Sequence, residues 1–64
     1  MAQKEVHTVP TERGWANRAG SYAISKHRKK ANAQKAGRKQ AIERKARHTI
    51  HRKDRTVAET HSYA

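Results

Sequence analysis

Large apolar side chains are what this sequence lacks. Phe is absent, and apart from Met1 the large apolar residues reduce to Trp15, Tyr22, Tyr63, Ile24, Ile42, Ile50 and the valines. A chain of 64 residues buries a smaller fraction of its surface than a longer one, so there is room for one small domain with a thin core, and each of these side chains is expected to matter. Low hydrophobicity with high charge is also the signature of disorder. Local order along the chain argues against that reading.

Val6 to Val9 alternate with His7 and Thr8 and favour a strand, which Pro10 is expected to stop because it cannot donate to a ladder. Thr11-Glu12-Arg13-Gly14 is turn chemistry. Trp15 to Arg18 can then return as a second strand before Ala19-Gly20-Ser21 breaks the chain again. In that strand Trp15 would face the core with Asn17 on its side of the sheet. Tyr22 to His27 is either a short third strand or an extended edge, and alternation alone leaves both readings open.

From Lys29 to Arg47 the chain is rich in Ala, Lys, Arg, Gln and Glu, with no Pro and a single Gly, which predicts a helix over about 29–46. Ala33, Ala36, Gly37 and Ala41 follow the i, i+3, i+4, i+8 pattern of one stripe of small residues, fit to lie close on a sheet. Ile42 and Ala46 fall on another side. After Arg47, two β-segments joined by the polar turn Lys53-Asp54-Arg55 predict a C-terminal hairpin. The expected fold class is therefore α+β: a small ββαββ domain over residues 1–64, with strands at about 5–9, 15–18, 48–52 and 56–60. Its antiparallel sheet would carry the helix on one face.

Taken together, these residues resemble a family. His7-Thr8-Val9-Pro10, Gly14-Trp15-Ala16, Ser25-Lys26-His27, Ala33 with Ala36 and Ala41, Ile50-His51, Asp54, Val57, Glu59 and Ser62-Tyr63 are similar to the pattern of the bacterial and phage family DUF2188. That pattern has a His-x-Val-Pro start, a Gly-Trp pair, an alanine-patterned helix and an Ile-His-x-x-Asp-Gly-x-Ile hairpin ending in Ser-Tyr. One departure is Arg55, which stands where the family has Gly, so the turn is expected to be looser here. The resemblance implies a compact strand, strand, helix, hairpin fold and a bacterial or phage origin, and it implies no activity.

Lys and Arg total 16 against five acids, a formal net charge of +11, so the protein repels itself and attracts anionic surfaces. Such an excess is greater than solubility requires. The run Lys26-His27-Arg28-Lys29-Lys30 precedes the helix, where cations oppose the positive end of the macrodipole, so its charge is expected to serve something other than stability. Candidates for phosphate contact are Arg28, Lys29, Lys30, Lys35, Arg38, Lys39, Arg44, Arg47, Arg52, Lys53 and Arg55. No helix-turn-helix spacing, zinc-finger ligand set, RNP aromatic pattern or Gly-x-x-Gly loop is present, so contact with the sugar-phosphate backbone rather than sequence readout is expected.

Other chemistries find little footing. Cys is absent, which removes disulfides, thiolate metal sites and a Cys nucleophile. His48 and His51, three apart in a strand, point to opposite faces and cannot chelate one ion; the five histidines are read as polar strand or loop residues that gain charge near pH ~6.5. Glu5, Glu12, Glu43, Asp54 and Glu59 show no clustering for acid–base work, so no enzyme, metal, cofactor or small-molecule substrate is expected. Trp15 is read as the core anchor in preference to a base-stacking platform, and Tyr63 as packed beside the last strand. No apolar run approaches a membrane span, and Met1-Ala2-Gln3-Lys4-Glu5 lacks a signal core, so a cytoplasmic protein is expected.

Three functions compete on this basis. The first is a nucleic-acid-binding protein, for DNA or RNA, of little sequence specificity. Second is a phage-type inhibitor or adaptor docking its basic surface on an acidic or nucleic-acid-binding surface of a host enzyme, an acidic host protein being the partner in the first case. The third is a ribosome- or RNA-associated assembly protein that orders only against RNA. A monomer and a homodimer through exposed hairpin edges both fit the sequence.

Overall fold

In the computed structural model, which describes residues 4–20 and 22–63, six elements follow in order. These are β1 (Glu5–Thr11), β2 (Gly14–Ala19), β3 (Tyr22–His27), α1 (Lys30–Arg44), β4 (Arg47–His51) and β5 (Val57–Ser62). Ser21, read as part of the break after β2, lies outside the described residues. The segment left open in the sequence, Tyr22–His27, is a strand, so the sheet has five strands rather than four, in the order β3-β2-β1-β4-β5.

The sheet is mixed, not antiparallel, because β1 and β4 run parallel. The helix causes this. β1, β2 and β3 form an antiparallel meander, so β3 runs in the direction of β1. α1, with 15 residues, then carries the chain back ~22 Å along the sheet, at 1.5 Å per residue. β4 consequently starts at the end where β1 starts. Pro10 does not stop β1, which continues to Thr11 and pairs Pro10 with Trp15. Beyond Thr8 the β4 side of β1 has no partner, which is where a residue without an N–H is tolerated.

α1 packs on β1, β2, β3 and β4 and does not reach β5. Its buried residues are Ala33, Gly37 and Ala41, the small stripe, with Ala36 half-buried. The helix is shorter than the expected 29–46. Lys45 adopts the left-handed conformation, its N–H bonds back to Ile42, and Ala46 N–H reaches the Ala41 carbonyl at 2.8 Å. This closure turns Ala46 out of the helix and into the core, where it is fully buried with Val6 and Ala41 and flanked by half-buried Ile24 and Tyr63.

Several large apolar residues do not join that core: Tyr22, Ile42 and Val57 are exposed. Trp15 lies on the helix-facing side of β2 but only half-buried at the rim, where the Lys30 ammonium stands 5.2 Å from its ring centroid. What fills the centre instead is polar. Thr8, Asn17 and His48 are buried directly under Gly37. Thr8 Oγ1–H donates to Asn17 Oδ1 at 2.6 Å, so the 2.7 Å contact between His48 Nε2 and Thr8 Oγ1 has the imidazole N–H as donor. Asn17 Nδ2 donates to Ser25 Oγ at 3.0 Å and to the Ala33 carbonyl at 2.9 Å, tying β1, β2, β3, β4 and α1 into one network.

A second proton on His48 would be a charge in this interior. Burial holds its pKa below the ordinary value; nearby His61 and His7 act in the same sense and Glu59 against it. The unfolded chain therefore binds a proton that the folded chain refuses. The resulting stability is complete above ~pH 6.5, the unfolded value, and falls as pH drops from there toward the depressed native value, by up to ~1.4 kcal/mol per pH unit. Thermal melts at pH 7.5 and 5.5, with the His48 ring followed by NMR, are expected to give a lower Tm at the acid pH and a His48 midpoint below that of an ordinary imidazole. An unchanged Tm would remove this role from His48.

The β4–β5 turn corrects another expectation. Arg55 takes the positive φ (72°) that the family's Gly would take, and the turn is closed: Arg55 N–H bonds the Arg52 carbonyl at 2.8 Å and Arg52 N–H bonds Thr56 at 2.7 Å. A side chain in this region costs ~1–2 kcal/mol. Asp54 offsets part of that by accepting from the Thr56 hydroxyl at 2.6 Å and the Thr56 N–H at 3.0 Å, bonds that hold its carboxyl below its ordinary pKa.

Candidate nucleic-acid interface

β1, β3 and β4 all finish at the same end of the sheet, so three connections meet there: the Glu12–Arg13 turn, the Arg28–Lys29 junction leading into α1, and the β4–β5 turn. Pro10, Thr11, Glu12, Arg13, Gly14, Trp15, Arg28 and Lys53 line one shallow depression at this end. Gly14 makes the convergence possible. It has φ 150°, and a Cβ there would stand 2.4 Å from the His27 carbonyl oxygen and 2.8 Å from Arg28 Cα. Only a residue without a side chain lets the first hairpin and the β3–α1 junction approach this closely.

Six of the eleven sequence candidates gather at this end: Arg28, Lys29, Lys30, Arg52, Lys53 and Arg55. Arg13 joins them, a residue sequence reasoning did not select because nothing local marks a turn Arg as the neighbour of a junction 15 positions away. The acids among them are Glu12, on the rim of the depression, and Asp54, occupied by Thr56. Trp15, read as a core anchor, is instead part of this surface.

The remaining candidates lie elsewhere. Lys35, Arg38 and Lys39 are exposed along the outer side of α1, and Lys35 and Arg38 border the groove between α1 and β5 beside His61 and Tyr63. Arg44 and Arg47 are at the opposite end of the sheet, where Arg44 Nε–H donates to Gln40 Oε1 at 3.4 Å. The eleven residues are thus one cluster, one helix flank and one distant pair.

Electrostatics favour an anion at the clustered end. The first turn of α1 contains no acid, its N-cap residue Lys29 makes no side-chain cap, and Arg28, Lys29 and Lys30 add charge to the positive pole of the helix. Stability alone would place carboxylates there. Free N–H groups and like charges together leave this end uncompensated.

His48 and His51 lie on opposite faces of the sheet, His48 under the helix and His51 on the open face. There His51 Nε2 meets His7 Nδ1 at 3.0 Å. The His51 Nδ1–H donates to the Arg55 carbonyl at 3.3 Å, so His7 is the donor in the imidazole pair. Among the described residues no three metal-ligating side chains converge, and no helix is long and apolar enough to cross a membrane.

Fold and surface define a class: a small α+β domain with one helix on a five-stranded mixed sheet and a cationic end built from three connections. The chain belongs to DUF2188, a family described as an uncharacterized protein conserved in bacteria, whose model matches residues 6–63. Comparison with curated proteins and with solved structures finds no match.

Proposed function

We propose that this protein is a non-enzymatic nucleic-acid-binding domain that engages the phosphate backbone with little sequence specificity, and that the cationic end is the centre of its footprint. The observation that carries the reading is the convergence of Arg13, Arg28, Lys29, Lys30, Arg52, Lys53 and Arg55 around the N-terminus of α1, with Trp15 at its edge. Seven cations within one end present point charges and forks matched to phosphate oxygens, while the half-buried indole offers part of a ring to an unpaired base. The exposed side of α1 extends the positive surface through Lys35, Arg38 and Lys39.

Fluorescence anisotropy against duplex DNA, single-stranded DNA and structured RNA at two salt concentrations tests this. Binding is expected to weaken steeply with salt. On duplex DNA, the triple substitution Arg28→Gln, Lys29→Gln, Lys53→Gln is expected to reduce the slope of log K against log salt by ~2.7, since each phosphate contact contributes ~0.9. Neutralising Lys35 and Lys39 should cost less. No binding at low salt sinks the proposal, and equal losses from the two sets would move the footprint from the end to the helix.

A further inference from the structure

The two edges of the sheet are built differently. β3 carries Lys26, is irregular beside Asn17 and Arg18, and is touched by α1. These are the features by which edge strands avoid pairing with another chain. β5 has little such protection: its one irregularity lies at its start, beside Ile50 and His51, α1 does not reach it, and nearly all its residues are exposed. In a chain of +11, the sequence Val57–Ser62 contains no Lys or Arg; its only ionisable groups are Glu59 and His61.

We infer that β5 is the pairing edge for a second copy of this chain, joined antiparallel about a two-fold axis at Thr60. The backbone sets the register. Tyr63 N–H points inward to the Ala46 carbonyl at 3.1 Å, and in an antiparallel ladder the inward and outward residues alternate. Ser62 and Thr60 therefore turn their N–H and C=O groups outward, and the alternation ends at the irregularity on Ala58. A two-fold at Thr60 places Thr60 opposite its own copy, where the outward N–H and C=O groups of the two chains pair, and sets Ser62 opposite the copy's Ala58. The same register sets Glu59 opposite the copy's His61 on the helix-side face, twice by symmetry, an acid facing the one group on β5 able to carry positive charge. Within one chain these two side chains are already 3.8 Å apart.

Self-repulsion is the opposing force, and the symmetry limits it. Antiparallel pairing points the two cationic ends in opposite directions along the strands. The inference holds whatever those ends bind.

Sedimentation equilibrium of the full chain at physiological salt, from micromolar to millimolar, is the test. A reversible species of twice the 7.3 kDa chain mass is expected. Thr60→Lys sets like charges opposite each other at the axis, and Thr60→Pro removes an outward N–H that β4 does not use. Each should leave only monomer over the same range, with far-UV circular dichroism confirming the fold. A wild-type chain that is monomeric at millimolar concentration overturns the inference, as does a dimer that survives both substitutions.

Discussion

Gly37→Ala is expected to destabilise the domain by at least ~2 kcal/mol, although the same change in an exposed helix would stabilise it by ~1 kcal/mol through helix propensity. The reason is what lies beneath the residue. A Cβ at position 37 would stand 2.5 Å from Asn17 Oδ1, 2.7 Å from His48 Nε2 and 2.8 Å from Thr8 Oγ1. None of these atoms is the free end of a flexible side chain; each is buried and bonded to another member of the network. To admit a methyl group, either the helix lifts off the sheet, uncovering Ala33 and Ala41, or the network breaks and leaves buried polar groups without partners at ~1–3 kcal/mol each. Denaturant melts of Gly37→Ala beside the exposed control Asn32→Ala decide the matter. The control should gain a few tenths of a kcal/mol, and a Gly37→Ala chain as stable as the parent would mean that the helix and sheet are less closely apposed than described.

The helix and its small stripe were legible in the sequence because both rest on local chemistry: good helix formers without Pro, and Ala33, Gly37 and Ala41 at helical spacing. The reason for the stripe was not legible. Asn17 reads as lying on the core side of its strand, but its burial with Thr8 and His48 was not legible, since a polar side chain signals burial only once its partners are known, and Thr8 and His48 are 40 positions apart. Counting large apolar residues misled for the complementary reason. With polar groups and alanines filling the centre, Tyr22, Ile42 and Val57 have no interior left to occupy and remain exposed. The parallel pairing of β1 with β4 depends on whether β3 forms, because a third strand reverses the direction from which the helix departs; that one undecided segment fixed the topology. Charge could be read as an excess, but its concentration at one end follows from the topology and from Gly14.

Gly14→Ala therefore tests fold and footprint at once. Its Cβ would meet backbone, not side chain: the His27 carbonyl oxygen at 2.4 Å, Arg28 Cα at 2.8 Å and the Arg28 carbonyl oxygen at 2.9 Å, at a φ of 150° that a side chain rarely adopts. The conformation alone costs ~1–3 kcal/mol. Relief of the clash requires the β3–α1 junction to move away from the first hairpin, carrying Arg28 and Lys29 away from Arg13 and Trp15. The expected result is a loss of ~2–4 kcal/mol in stability by denaturant melt, together with weaker duplex binding at low salt under conditions where circular dichroism finds the chain folded, with no change in charge. Gly20→Ala supplies the contrast. Gly20 also has positive φ, at 65°, but nothing lies within 4 Å of a Cβ there, so this substitution should cost ~1–2 kcal/mol and leave binding unaltered. Were both alanine variants to bind as the parent does, the convergence of cations that Gly14 permits would play no part in recognition, and net charge alone would account for the affinity.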